Sequence, residues 1–146
     1  MPSKLNPYLN FQGNAAEAIE FYRTVFGGDV QIMTFAEGGM PHEPADADKV
    51  MHAQLDAENG MTLMAADSVP GTPPASGVSI SLSGEDDAEL SGYYERLAEG
   101  GTVVEPLMMA PWGDKFGMVA DRFGILWLVN ISGPGAQQGG NGQQGA

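Results

Sequence analysis

NAAEAIEFYRTVFGG occupies Asn14 to Gly28, and EDDAELSGYYERLAEGG occupies Glu85 to Gly101. The two stretches share one grammar. Each opens on a short polar side chain with a glutamate three residues on, Asn14 with Glu17 and Asp86 with Glu89, which is the pattern of a helix N-cap and its capping-box partner. Each then places apolar residues at helical spacing: Ala15, Ala18, Ile19, Tyr22 and Phe26 in the first, Leu90, Tyr93 and Leu97 in the second. Each closes on two glycines, Gly27–Gly28 and Gly100–Gly101. Glycine ends a helix there because it takes a left-handed conformation without a Cβ clash. Arg23 and Arg96 both stand four residues before the first glycine. Gly92, inside the second helix, costs about 1 kcal/mol against alanine and points to close packing on a sheet.

Strand patterns surround each helix in the same order. KLNPYLNFQ precedes the first helix. Asp29 to Ala36, Lys49 to Ala57 and Met61 to Ala66 follow it, with Asn59–Gly60 as a hairpin turn between the last two. GVSISLS precedes the second helix, and Thr102 to Ala110, Lys115 to Asp121 and Ile125 to Ile131 follow it. This is a βαβββ module used twice, and the fold class it predicts is α+β. Each helix covers one face of its sheet. The bare faces are expected to pair into a curved, cup-like mixed sheet with helices on the outer face, a shape suited to a small ligand. We expect a single domain over 1–132, with module one at 4–67 and module two at 77–132. Glu37 to Asp48 reads as a mobile Gly/Pro/Asp-rich connection. Ser68 to Gly77 reads as a Pro/Gly hinge near the middle. Residues 133–146 read as a disordered Gly/Gln-rich tail.

Composition narrows the function. The chain has 146 residues, a net charge of −13 and only 6 Lys plus Arg, so nucleic acid and anionic membranes are poor partners. A small-molecule ligand, cationic, neutral or aromatic, is expected instead, since the negative field concentrates cations. No apolar run is long enough for a bilayer span and no signal pattern opens the chain, so a cytoplasmic protein is expected. Cysteine is absent, which removes disulfides and thiolate chemistry.

His52 is the leading candidate for chemistry. In KVMHAQLD, Val50, His52, Gln54 and Asp56 share one strand face, opposite Met51, Ala53 and Leu55. If that polar face lines the cup, His52 is a general base or a ligand anchor; the competing reading is a structural histidine. Glu105, in the other module, is the second catalytic candidate. His42, beside Glu43 in the Gly/Pro loop, reads as solvated. Trp112, in PWGDKFG, sits on a turn at the rim, either closing over a ligand or packing at a dimer interface. Trp127 alternates with Leu126 and Leu128 and should be core, and Asp121 should cap its own turn.

PYLNFQGNAAEAIEFYRTVFGG, VMHAQL and PWGDKFGMVADRFGILW together resemble the vicinal oxygen chelate superfamily, and within it the PhnB-like branch. That superfamily includes glyoxalase I, the bleomycin-resistance proteins and the extradiol dioxygenases. The resemblance spans Leu5 to Ile131. It implies a glyoxalase-like fold, a homodimer, and pairing of modules either within one chain or between two. Metal-dependent members take four ligands, typically His and Glu, from the first and last strands of the modules. Carried onto this chain, those positions are Pro7, Met64, Ser79 (or Ser81) and Leu128, which suit no hard divalent ion. No metal and no cofactor are therefore expected. Binding through Leu9, His52, Gln54, Met64, Trp112, Phe116 and Leu128 is the leading expectation. An enzyme of the lyase, isomerase or dioxygenase type, using His52 and Glu105 or a divalent metal, is the alternative. The demethylubiquinone methyltransferase label often attached to this branch finds no support in the sequence, which lacks a Gly-rich nucleotide fingerprint.

Overall fold

The computed structural model describes residues 4–39, 43–67 and 78–133. The expected Ser68–Gly77 hinge and the tail from residue 134 lie outside the described residues, as does His42. The chain divides into two compact units, residues 1–76 and 77–146.

In unit 1, β1 (Tyr8–Phe11) leads into α1 (Ala15–Phe26), followed by β2 (Asp29–Thr34), a four-residue helix α2 (Phe35–Gly38), β3 (Val50–Asp56) and β4 (Thr62–Asp67). The strand order is β1-β4-β3-β2, with β1 parallel to β4 and the other pairs antiparallel. α1 packs on β2, β3 and β4. It buries Ala15, Ala18, Ile19, Tyr22, Val25 and Phe26, and the sheet answers with Ala53, Leu55, Leu63 and Ala65. Ile19 and Tyr22 are wholly buried, each contributing about 1.5–3 kcal/mol by transfer from water.

Unit 2 repeats the plan. β5 (Ile80–Gly84), α3 (Asp87–Ala98), β6 (Thr102–Met109), β7 (Lys115–Ala120) and β8 (Leu126–Ile131) form a sheet of order β5-β8-β7-β6. Here β5 lies parallel to β8. α3 buries Leu90, Tyr93, Tyr94 and Leu97 over Leu82, Val119, Trp127 and Val129. Trp127 is core, as expected, and its indole Nε1 donates to Asp121 Oδ2 at 2.9 Å. Asp121 also accepts from the backbone of Phe123 and Ile125, the turn-capping role expected of it.

The paired glycines at each helix end serve conformation and space. Gly27 and Gly100 have φ of +75° and +77°, the left-handed turn out of the helix. Gly28 and Gly101 start the next strand against backbone: a Cβ on Gly28 would lie 2.1 Å from the Asp56 carbonyl oxygen, and one on Gly101 2.2 Å from that of Ala120. In the second pair Gly100 is needed for conformation and Gly101 for space, whereas Gly28, with φ of +103°, is needed for both.

Three local expectations are corrected. Asn14 makes no side-chain cap on α1. The buried carboxylate of Asp67, at the end of β4, replaces it: Oδ1 accepts from the backbone of Gly13 and Ala15, and Oδ2 from that of Val50. A carboxylate delivered by tertiary folding outcompetes the local amide because it ties three segments together. The strand expected to reach Ala36 stops at Thr34, where Thr34 and Glu37 form a complete capping box and start α2. Leu9, expected on the ligand side, pairs in register with Ala65 and therefore lies on the helix-covered face; alternation from Tyr8 sends it there.

Candidate functional site

The sheet register sorts the candidate residues onto faces. In unit 1, Tyr8 pairs with Met64, Met64 with Gln54, and Gln54 with Gln31. These four make one row across the distal face, the face away from α1. The next row holds Asn10 opposite Ala66 and His52 opposite Met33. His52, Gln54 and Met64 are brought together on one surface, and all three are half-buried.

Tyr8 completes the group. Its hydroxyl lies 3.4 Å from Nδ1 of His52, and the two rings are 5.8 Å apart and tilted by 44°. β4 runs between β1 and β3, so the contact bridges over β4. Ala66 is the β4 side chain beside it; it is small enough to pass beneath, and it is only 7% exposed. Partial burial pushes the Tyr8 phenol above its ordinary pKa, so it stays protonated at physiological pH. Further along the face, Gln54 Nε2 donates to Asp56 Oδ1 at 3.0 Å, and Thr62 donates to the same oxygen at 3.4 Å. The distal face of unit 1 is thus rich in neutral donors and acceptors, with carboxylates toward one end.

Unit 2 has the same rows with different chemistry. Ser81, Leu128, Met118 and Glu105 occupy the first, and Ser83, Asn130, Phe116 and Met108 the second. Leu128 and Phe116 share this distal face. The edge of Trp112 meets Phe116 at 6.0 Å from the turn between β6 and β7, and the indole is 56% exposed. Phe116 holds the place in unit 2 that His52 holds in unit 1. Glu105 is exposed on the edge strand β6, where the register with β7 shifts on both sides of it. Pro106 follows it and has no N–H for the ladder. Tyr94 compensates by donating its hydroxyl to the Glu105 carbonyl at 2.7 Å. His52 and Glu105 therefore belong to separate units.

Sequence reasoning missed Tyr8. It aligned Pro7 with the first-strand position, but the residue opposite Met64 is Tyr8, and the residue opposite Leu128 is Ser81 rather than Ser79. The alternation of Tyr8, Asn10 against Leu9, Phe11 held the signal.

The chain matches the family described as 3-demethylubiquinone-9 3-methyltransferase over residues 3–130. It belongs to that family, the PhnB-like branch of the glyoxalase/bleomycin-resistance/dioxygenase superfamily. Protein PA1353 of Pseudomonas aeruginosa is 39% identical to it, with a TM-score of 0.77 over 90% of this chain and 99% of that one. A putative 3-demethylubiquinone-9 3-methyltransferase of Bacillus cereus, a PhnB protein, is 27% identical, with a TM-score of 0.71 over 89% and 100% of the two chains. A glyoxylase/bleomycin resistance protein/dioxygenase domain from Frankia, 16% identical over 90% of this chain and 98% of that one, shares the fold at a TM-score of 0.60.

The superfamily's divalent ion does not fit the residues at its positions. The register places Tyr8 with Met64 in one unit and Ser81 with Leu128 in the other. A phenol, a thioether, an alcohol and an alkane make no ligand set for a hard cation. Among the described residues, no group of three or more His, Asp or Glu is arranged to hold a metal.

Proposed function

We propose that this chain is a cytoplasmic small-molecule-binding protein of the PhnB-like branch that works without a metal and holds its ligand on the distal sheet face of unit 1. The observation that carries the reading is the cluster of exposed Tyr8 with half-buried His52, Gln54 and Met64 on the distal face of unit 1. It combines directional hydrogen-bonding groups with a polarizable apolar side chain, the mixture typical of ligand sites. Phe116, Leu128, Met118 and Trp112 give the distal face of unit 2 an apolar and aromatic surface of its own, worth roughly 25 cal/mol per Å² if buried. The acidic balance of the chain, −13 overall, favours a neutral or cationic ligand. The family's description names methyl transfer, which is not part of this proposal. A homodimer belongs to it, supported by the exposed Val103, Val104, Met108 and Met109 on edge strand β6.

Amide-shift mapping of a small-molecule library on the labelled protein tests the reading. Hits should perturb β3 and β4 around His52 and Met64, and His52→Ala should weaken them. Hits that map only to the helix-covered faces would contradict it. Metal analysis of protein purified without chelators is the companion measurement, and stoichiometric nickel, zinc, manganese or iron would defeat the metal-free claim. One observation favours a second reading, an enzyme of the same superfamily: a phenol hydroxyl beside an imidazole can pass a proton. Turnover abolished by His52→Ala with the fold intact would establish that reading instead.

A further inference from the structure

Tyr8 reaches across a neighbouring strand to touch His52, although β1 and β3 are not paired. A contact over β4 requires a small side chain beneath it, and Ala66 supplies one. Asn10, Met33 and Gln54 also face this side, and no ion pair is formed by His52 among the described residues. We infer that Tyr8 is a positioning residue: its hydroxyl donates to Nδ1 of His52, which places the imidazole proton on Nε2 and turns that N–H toward the ligand. The inference rests on the binding function proposed above and adds its chemical class. A site that presents a fixed N–H selects ligands bearing an acceptor oxygen, a carbonyl above all, over ligands that bring only N–H donors. The acidic surroundings disfavour a carboxylate as that acceptor. The raised pKa of Tyr8 keeps the phenol protonated, which donation requires.

The tautomer of a neutral histidine is read directly from long-range proton–nitrogen correlations, without any ligand. The chain has 2 histidines, so a His42→Gln variant assigns the signals. At alkaline pH, His52 in the full chain should show an unprotonated Nδ1 and a protonated Nε2. Tyr8→Phe should shift it toward a mixture of the two forms. A wild-type signal protonated on Nδ1, or a Tyr8→Phe spectrum identical to wild type, overturns the positioning role. Neither outcome touches the binding proposal, which the library screen decides separately.

Acetophenone and benzylamine at neutral pH then probe ligand class, since one carries a carbonyl acceptor and the other, as its ammonium ion, carries only donors beside the same phenyl ring. Acetophenone should move the Nε2 resonance and benzylamine should not. The reverse pattern, or no response to acetophenone, overturns the acceptor assignment. Tyr8→Phe should weaken acetophenone roughly three- to tenfold, the usual effect of losing one hydrogen bond. His52→Gln, whose amide N–H sits near the Nε2 position, should retain more affinity than His52→Asn, and equal loss in both counts against the assignment.

Discussion

The two units share strand order and glycine-paired helix ends, yet they solve two problems differently. α3 is capped from its own sequence, Asp86 Oδ1 accepting from Glu89 N at 3.0 Å. α1 is capped from the far end of the sheet by Asp67, which also holds the start of β3. The distal faces differ as well: unit 1 sets His52 and Gln54 where unit 2 sets Phe116 and Met118. Duplication of a frame conserves what the backbone requires, the tight turns and the strand register. Side chains that face away from the core are not held by packing, and there β3 carries polar His52 and Gln54 where β7 carries apolar Phe116 and Met118.

The largest effect should come from the caps. Asp67→Ala strands three backbone N–H groups inside unit 1 and should cost about 3–5 kcal/mol. Asp86→Ala removes one exposed cap and should cost about 1 kcal/mol. Urea denaturation of both variants measures the difference, and equal losses would erase the distinction between local and tertiary capping.

The glycine pairs come next. Gly101→Ala drives a methyl into the Ala120 carbonyl and should cost at least about 2 kcal/mol. Gly100→Ala meets a left-handed backbone, with the Arg122 guanidinium that donates to the Glu99 carbonyl nearby, and should cost about 1 kcal/mol. A thermal-melt series that inverts this order would mean that conformation, not space, governs the strand start.

A smaller effect should separate the faces. His52→Ala and Phe116→Ala remove structurally matched residues, each half-buried. Each should shift stability by less than about 1.5 kcal/mol while weakening library hits. Calorimetry on the two singles and the double variant shows whether both residues touch one ligand. Additive losses would assign them to independent contacts, and a double variant no worse than either single would show that they act on the same bound molecule.

The smallest effect is electrostatic. Lys115 Nζ lies 2.6 Å from Asp87 Oδ2. Hydrogen bonds from Lys115 and then Ser91 hold the Asp87 carboxyl below its ordinary pKa. The folded state therefore binds the proton less tightly than the unfolded chain. The pair's contribution is complete above the unfolded carboxylate pKa, about 4, and fades as pH falls through the lower folded value. Lys115→Met should flatten that acid-side slope of the melting temperature slightly and leave the neutral-pH melt nearly unchanged, since exposed pairs are weak. An unchanged slope would remove the pair from the comparison.

Much of this molecule was legible before folding. Both helices, their glycine stops, the α+β class and the superfamily could be read from Asn14–Gly28, Glu85–Gly101 and the strand patterns around them. These signals are local: periodicity, caps and turns act within a few residues, so the chain carries them explicitly. Trp127 as core and His52 beside Gln54 on one face followed from simple alternation. The partnership of Tyr8 with His52 across β4, the capping of α1 by Asp67 and the placement of Leu9 on the helix side did not. Each depends on register between segments distant in the chain, Tyr8 against Met64 and Leu9 against Ala65. A single residue of slip exchanges the two faces of a strand. Sequence determined the two long helices, their glycine stops and the strands around them, because those choices are made by neighbours. Tertiary structure decided which polar groups meet, because strand pairing fixes the register only once the apolar faces are buried.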